Sequence, residues 1–315
     1  MNQNTKKKIL IALDGSAQSM NCVGYVARTM PPSETQVVLM HVFNKVPESF
    51  WDVEIGLESD LWTNKIKTLQ HEHERTIKNV MQTAGRTLLE HDFRPQHITE
   101  KIQNRTSGIA RDIIAESGRG YHMLVIGRSG TSPIEGLTVG SVANKTIERS
   151  RNVPICVVSG NPDQPTILVA MDGSEGAQRA VDFLCALGHP RNRRVILFHA
   201  IRRLGYPELS SQAANSFGDI EQKILEDTRK AIEPHLENAR NRLVAAGYAV
   251  DNVVFKIVSG VASRAGALLA EAEDNLCGTV VVGRKGVSQI EDFNIGRVCH
   301  KVIQKAQNLA IWVVP

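Results

Sequence analysis

The sequence predicts two tandem doubly wound α/β domains, each built on a five-stranded parallel sheet. Three observations lead to this prediction: a chain of 315 residues, an internal repeat, and short β-branched segments that alternate with long helical patterns. Such alternation is typical of parallel strands joined by crossover helices. We expect the first domain to span residues 1–160 and the second to span residues 166–315.

The repeat is visible directly in the residues. Residues 8–16 end in Asp-Gly-Ser and recur as residues 166–174, and residues 124–128 recur as residues 280–284. Residues 160–165 contain two prolines and a glycine among polar residues, a composition typical of a short linker.

Each copy begins with a strand followed by a serine, Ser16 or Ser174, that is suited to cap the first helix. A second strand ends at His41 or His199. A long amphipathic helix is then indicated by apolar residues at three- and four-residue steps or their multiples. In the first copy these are Ile66, Leu69, Ile77, Val80, Ala84 and Leu88; in the second they are Leu225, Thr228, Ile232, Leu236, Ala239 and Leu243, with Pro234 predicted to kink the helix.

The fourth strand of each copy is almost wholly apolar, as expected of a parallel strand buried on both faces, and it ends at a glycine. In the first copy the loop contains Gly127, Gly130 and Gly140, and a helix starts near Ser141. Ligands of doubly wound sheets bind beyond the carboxyl ends of the strands. Glycines and a helix N-terminus can hold a phosphate by backbone N–H groups, and Asp14 across the groove can accept from a ribose hydroxyl. From these residues alone, simple turn formation by the glycines is an equally good interpretation.

Composition argues against several classes of protein. The net charge is only +4, and the basic run Lys6-Lys7-Lys8 is interpreted as a solvated N-terminus, so we expect no nucleic-acid partner. No window approaches the ~18 consecutive apolar residues of a membrane span, and the first apolar run is too short for a secretory signal. The five cysteines are scattered without a CxxC motif, which favours free thiols and a cytoplasmic location.

The pattern Gly-x2-Gly-x9-Gly-Ser, after an apolar strand and together with the N-terminal strand ending Asp-Gly-Ser, resembles the universal stress protein family. The resemblance covers both copies. It implies a Rossmann-like α/β sandwich and binding of ATP, which we expect as a complex with Mg²⁺. It also implies that Ala12 and Asp14 contact the base and ribose side and that Val42 meets adenine through its backbone. The residues implied to hold the ribose and phosphates are Ile126, Gly127, Ser129, Gly130, Gly140, Ser141 and Val142.

The second copy departs from this pattern at one motif position, where Arg297 replaces the serine. Its guanidinium could pair with a phosphate, or its bulk could fill the phosphate site. Lys285 adds positive charge that favours pairing, while Ala200 leaves a thinner adenine wall. The corresponding candidate residues are Ala170, Asp172, Ala200, Val282, Gly283, Lys285, Gly286, Gly296, Arg297 and Val298.

These features predict a nucleotide-binding stress-response module rather than an established type of enzyme. No Walker A, GxGxxG or GxSxG motif is present, and no catalytic residue or metal ligand is assigned; His71 and His73 are interpreted as a solvated helix face. Two alternatives stay open: a slow ATPase or nucleotidyl transferase, and a nucleotide-free scaffold. The resemblance also implies antiparallel pairing of the last strands, Ile155–Val158 with residues 311–314, and leaves a homodimer possible.

Overall fold

The computed structural model describes residues 6–43, 59–130, 139–187, 193–203, 211–287 and 294–315. The chain divides into two compact units, Met1–Val153 and Pro154–Pro315. Within the described residues, each sequence repeat supplies five strands that alternate with helices, as predicted. The fold is therefore a tandem α/β fold in which parallel strand pairs predominate.

The first unit contains a sheet with strand order β3-β2-β1-β4, in which the β1–β2, β2–β3 and β1–β4 pairs are parallel. Its elements are β1 (Lys7–Ala12), α1 (Ala17–Thr29), β2 (Thr35–Phe43), α2 (Ser59–Leu89), β3 (Ile98–Asn104), α3 (Ile109–Ser117), β4 (Met123–Gly127) and α4 (Ser141–Arg149). A short 3-10 helix, Pro95–His97, leads into β3.

The second unit contains strands in the order β5-β10-β9-β6-β7-β8. Its elements are β5 (Ile155–Val158), β6 (Thr166–Ala170), α5 (Glu175–Leu187), β7 (Val195–Arg202), α6 (Ser211–Ala245), β8 (Val253–Val261), α7 (Arg264–Asp274), β9 (Cys277–Gly283), α8 (Arg297–Lys305) and β10 (Ala310–Val314). Strand β5 closes the first sequence repeat but lies in this unit, where it pairs antiparallel with β10. The domain boundaries at residues 160 and 166 stay a prediction.

The core of each unit lies along its central strands. In β1, Ile9, Leu10 and Ile11 are fully buried, and Val280 and Val281 of β9 are equally buried in the second unit. Parallel strands covered by helices on both faces must be apolar throughout, because neither side-chain direction reaches water. The carboxyl ends of these strands are therefore supported by a buried apolar core.

The two long helices bury the predicted face only over part of their length. In α2 the buried positions include Ile77, Met81, Ala84 and Leu88, whereas Leu69, predicted on the buried face, is 55% exposed. The 31 residues of α2 span about 46 Å at 1.5 Å per residue, far more than a strand of seven residues covers. The N-terminal half therefore extends past the sheet. Helix α6 continues through Pro234, and the kink predicted there stays a prediction.

The basic run at the start of the chain is not the solvated N-terminus that its sequence indicated. Strand β1 begins at Lys7, and all three lysines are half-buried. The Lys6 ammonium contacts His97, and the Lys8 ammonium lies 4.2 Å from the centre of the Tyr121 ring. These side chains therefore cover the edge of the first unit's core rather than forming a free cationic patch.

Candidate functional site

The carboxyl end of β1 positions Asp14 through a tight turn. The Ser16 N–H donates to the Asp14 carboxylate at 3.0 Å, and the intervening Gly15 has φ = +85°, a conformation that favours glycine. Ser16 then caps α1, as predicted, because its hydroxyl accepts from the Ser19 N–H at 3.1 Å. The second unit repeats the turn at Asp172, whose carboxylate accepts from the Ser174 N–H at 3.0 Å.

The carboxyl end of β2 is tied to β1 by a buried histidine. His41 Nδ1 lies 2.7 Å from the Leu13 carbonyl oxygen. Since a carbonyl only accepts, Nδ1 must carry the proton and Nε2 is left as a bare acceptor. That Nε2 is buried and has no hydrogen-bond partner in the described part of the chain. The hydrogen bond holds Val42 beside the end of β1, where the adenine contact was predicted.

The pKa of His41 is lowered, chiefly because burial disfavours the charged imidazolium. The bond to Leu13 and the nearby Asp14 carboxylate oppose this shift, while His73 adds to it. His199 has the same arrangement in the second unit: its Nδ1 lies 2.6 Å from the Met171 carbonyl oxygen, and burial lowers its pKa. Each histidine is therefore a neutral side chain whose hydrogen bond joins the ends of two neighbouring strands.

The glycine loop after β4 closes against Asp14. A Cβ on Gly130 would overlap the Asp14 Oδ2 atom, so any larger residue here would displace the Asp14 carboxylate. The Gly140 N–H donates to the Arg128 carbonyl at 2.8 Å, and a Cβ on Gly140 would lie 3.4 Å from that oxygen. The structure thus brings Asp14, Gly130 and Gly140 together, whereas most of the loop between these two glycines, residues 131–138, lies outside the described residues.

Helix α4 begins at the residue where the motif places its serine. Gly140 is the N-cap, with φ = −63° and ψ = 151°, and its carbonyl accepts from the Asn144 N–H at 2.8 Å. The first backbone N–H groups of a helix have no partner within the helix, and here they belong to Ser141 and the residues after it. Ser141 is exposed and Val142 is half-buried. This helix end can therefore offer donors to an anion.

The remaining predicted residues lie on the strands that support these groups. Ala12 and Ala170 are half-buried at the ends of β1 and β6, while Gly127, Ser129, Gly283 and Gly286 are half-buried in the loops. Val42, Ile126, Ala200 and Val282 are buried strand residues. These residues therefore support the strand ends from within the core.

The helix residue facing the loop was missed by sequence reasoning. A Cβ on Gly127 would lie 3.1 Å from the Cγ atom of Gln18 in α1. The second unit has Gly176 in that place, and a Cβ there would overlap the carbonyl oxygen of Lys285. The loop therefore packs directly on the backbone of α5. Aligning the two repeats shows glycine opposite glutamine at this position, and this difference was the available signal.

Arg284 and His73 make contacts that were not predicted from the sequence. The Arg284 side chain is 6% exposed, and its Nε donates to the Asn294 carbonyl at 2.9 Å, so it braces the loop. His71 and His73 are both exposed, but the His73 ring also lies 5.0 Å from that of Phe43 and 6.0 Å from that of His41. His73 therefore covers the end of β2 as well as facing solvent.

Among the described residues there is no group of three or more His, Cys, Asp or Glu side chains placed to hold a metal ion. No helix in the described ranges is both long and apolar enough to cross a membrane. No disulfide joins the five cysteines, all of which lie in described segments.

Each of the two α/β repeats has an Asp-Gly-Ser turn that faces a glycine loop, so the chain is a tandem α/β protein with one such arrangement in each copy. The model of the universal stress protein family matches residues 6–159 and again residues 165–315. The chain therefore belongs to the universal stress protein family, with two copies of its domain.

Known proteins resemble the chain to different extents. A universal stress protein of Mycolicibacterium smegmatis is 25% identical over 182 residues, which is 56% of this chain and 58%, less than two thirds, of that relative. The crystal structure of a universal stress protein from Archaeoglobus fulgidus superimposes with a TM-score of 0.59 at 17% identity, covering 100% of this chain and 99% of that one. A universal stress protein solved in complex with cAMP is 22% identical, covers 48% of this chain and 96% of its own, and has a TM-score of 0.35.

Proposed function

We propose that the crevice of the first repeat binds an adenine nucleotide, ATP in particular, and that the protein is a regulatory module of the stress response. The observation that carries this proposal is the approach of the Asp14 carboxylate to Gly130, beside the N-terminus of α4. It combines an acceptor suited to a ribose hydroxyl with a backbone surface suited to phosphates. The missing Cβ at residue 130 leaves the space beside the loop to the Asp14 carboxylate.

Each residue then has a role that follows from its place. Asp14 accepts a hydrogen bond from the ribose. The backbone of Val42 contacts the adenine edge, and the hydrogen bond between His41 and Leu13 holds that backbone in place. Ala12, Ile126 and Gly127 support the base and ribose side. Ser129, Gly130, Gly140, Ser141 and Val142 face the phosphates, where the helix end adds about half a positive charge. Ala170, Asp172, Ala200, Val282, Gly283, Lys285, Gly286, Gly296, Arg297 and Val298 take these places in the second repeat.

Mg²⁺ enters this proposal as part of the nucleotide complex. The described residues supply no cluster of three metal-ligating side chains. Mg²⁺ commonly keeps several waters and binds through substrate phosphates, with only one or two carboxylates from the protein. The glycine loop fits such a ligand because it would contact the phosphates through its backbone N–H groups, so that other phosphate oxygens would be free to bind the metal.

The proposal includes an arrangement for the two family domains. Strand β5, at the end of the first sequence repeat, pairs antiparallel with β10, with Val157 opposite Ile311. This supports association of the domains through their last strands, which also removes an apolar edge that would otherwise invite aggregation. We also propose that the whole chain forms homodimers. A cytoplasmic location is proposed as well, and the free thiols of the five cysteines support it.

Gly130→Ala tests the binding site with a single methyl group. The added Cβ takes the place of the Asp14 Oδ2 atom and turns the carboxylate away from the ribose. A lost hydrogen bond to a charged group costs about 1.5–3 kcal/mol of binding free energy. We therefore expect the dissociation constant for ATP, measured by isothermal titration calorimetry, to rise at least about tenfold. The variant is measured as the full chain, with folding checked by circular dichroism.

Gly218→Ala is the matched control, because a Cβ on this helical glycine meets no atom within 4 Å. It should bind ATP as the wild type does. Equal affinity of the Gly130→Ala variant, the control and the wild type would contradict the proposed site. Phosphate release that disappears in a Gly140→Trp variant would instead favour the ATPase alternative.

A further inference from the structure

His41 carries a buried ring nitrogen that finds no donor within the described chain. Its Nδ1 donates to the Leu13 carbonyl at 2.7 Å, so its Nε2 has a lone pair and no proton. This Nε2 is buried and has no hydrogen-bond partner among the described residues. A buried acceptor without a donor costs free energy, because its hydration is lost and not replaced. A ligand that binds the lone pair would remove this cost.

The side chain of His73, on the long helix α2, lies over this nitrogen's strand. His41 and Phe43 are two positions apart in β2, so their side chains project from the same face of the strand. The centre of the His73 ring lies 6.0 Å from that of His41 and 5.0 Å from that of Phe43. Phe43 has no polar side-chain atom. Of these two neighbouring rings, only that of His73 can therefore share a ligand with His41.

The separation of the two imidazoles matches the dimensions of a shared metal ion. Because Zn–N bonds are about 2.0–2.1 Å long, the centres of two imidazole rings bound to one zinc ion lie about 5–6 Å apart. The 6.0 Å between His41 and His73 is at the upper end of this range. Imidazole is also a ligand that suits zinc, copper and nickel.

The hydrogen bond of the His41 ring matches a metal ligand as well. A metal-binding histidine almost always donates its other ring N–H to a carboxylate, a backbone carbonyl or a water, which fixes the ring and directs the bare nitrogen to the metal. The bond from His41 Nδ1 to Leu13 has this form. The ring of His41 is therefore already held in the tautomer that a metal ion needs.

The site is reachable from solvent and open. His41 is buried, whereas His73 is exposed, so an ion can enter from the side of α2. The described residues contain no group of three ligating side chains, so the protein supplies two ligands and water fills the other positions. Binding should consequently be weaker than at the closed, four-ligand sites of structural zinc.

The second repeat keeps the histidine of the strand but not that of the helix. The side chains of Ile77 and Ile232 both lie beside the glycine of an Asp-Gly-Ser turn, which aligns α2 with α6. In this alignment Thr228 takes the place of His73. The pair of imidazoles is thus a feature of the first repeat, although His199 repeats the hydrogen bond of His41.

We propose that His41 Nε2 and His73 bind a divalent transition-metal ion, represented by Zn²⁺, between β2 and α2 of the first repeat. The ion joins the end of β2 to the middle of the long helix. The site is independent of the proposed nucleotide contacts, because neither of its two ligating nitrogens takes part in them.

The test titrates Zn²⁺ alone into the untagged full-length chain, without nucleotide, by isothermal titration calorimetry. We expect one ion per chain. His73→Gln removes the exposed ligand and leaves the core unchanged. It should weaken zinc binding by more than about tenfold, since removal of a group that merely supports a ligand already costs about that much.

His71→Gln is the matched control, because it removes another exposed imidazole from the same helix. Residues two apart on a helix do not face the same way, so this variant should bind Zn²⁺ as the wild type does. His41→Gln removes the buried ligand but keeps a side-chain donor for the Leu13 carbonyl. It should lose zinc binding as His73→Gln does, with folding checked by circular dichroism.

Electron paramagnetic resonance of bound Cu²⁺ counts the ligating nitrogens. The wild type and His71→Gln should show coupling to two imidazole nitrogens, and His73→Gln should show coupling to one. Zn²⁺ should also raise the melting temperature of the wild type more than that of His73→Gln, because an ion that binds the folded chain stabilises it.

Three results would overturn the metal site. One is equal zinc affinity in the wild type and His73→Gln. Another is an equal loss of affinity in His71→Gln, since the ion would then bind the outer surface of α2. The third is a wild-type chain that binds no Zn²⁺. None of these results bears on the proposed nucleotide function, because nucleotide is absent from the titration.

Discussion

At the scale of single residues, His41 and His199 each join the ends of two neighbouring strands by one hydrogen bond. Both rings are buried at a strand end and donate through Nδ1 to the carbonyl of the residue before the motif aspartate. The sequence predicted that the second strand of each copy ends at its histidine, but the strands continue to Phe43 and Arg202. The bare Nε2 of His41 could not be foreseen, because it depends on which groups the long helix brings over the ring.

The lowered pKa of His41 makes stability depend on pH. Below the ordinary histidine pKa of 6.5 the unfolded chain takes up a proton that the folded chain takes up only at lower pH. Stability is therefore complete above pH 6.5 and falls as the pH drops through and below that value. His199 and His122 contribute in the same direction, because burial lowers their pKa values as well.

His41→Asn tests this dependence in urea denaturation at pH 7.5 and pH 5.5. The variant should lose about 1–3 kcal/mol at the higher pH, since a smaller side chain leaves space in a buried position. It should lose less than the wild type when the pH is lowered, because one titrating group has gone. His71→Asn, at a side chain 81% exposed, is the control. If the unfolding free energies of the wild type and His41→Asn changed equally with pH, His41 would not be the buried neutral histidine described here.

At the scale of elements, the strands and the glycine loops were predictable because their signals are local. An apolar run, a serine cap and a glycine before a helix each specify a conformation from adjacent residues. The exposure of Leu69 and the burial of Met81 were not predictable in this way. Periodicity identifies the apolar face of a helix, but the distance to which the sheet supports that face depends on how far the helix extends past the strands.

Gly176 marks a second feature that only the packing of elements shows. The loop after β9 rests on the first turn of α5, where a Cβ would overlap the Lys285 carbonyl oxygen. Gly176→Gln, which introduces the first-repeat residue, should therefore destabilise the second unit by about 1–3 kcal/mol, the usual cost of overpacking. Differential scanning calorimetry of the full chain measures the loss.

Gly266→Ala is the control for this substitution, since Gly266 also lies in the first turn of a helix. A Cβ there meets only Ser263 at an ordinary 3.4 Å. Its melting temperature should stay close to that of the wild type. If Gly176→Gln melted no lower than Gly266→Ala, the loop would not depend on direct contact with the α5 backbone.

At the scale of the whole molecule, one fold occurs twice along the chain, with different side chains at the proposed phosphate site. The family and the tandem organisation could be predicted from motif spacing alone, since both glycine patterns recur in register along the chain. Whether Arg297 fills or lines its crevice could not be decided from its identity. Arg297 is an exposed residue directly after the Gly296 cap, which favours the second interpretation.

The most direct test of the central claim is the number of nucleotides bound per chain. Full-length protein is equilibrated with millimolar Mg-ATP at low salt, separated from free ligand, denatured with acid, and the released adenine nucleotide is quantified. We predict one nucleotide for each repeat in the wild type and loss of the first-repeat nucleotide in Gly140→Trp. Absence of bound nucleotide from the wild type, or an amount unchanged by Gly140→Trp, would contradict the account.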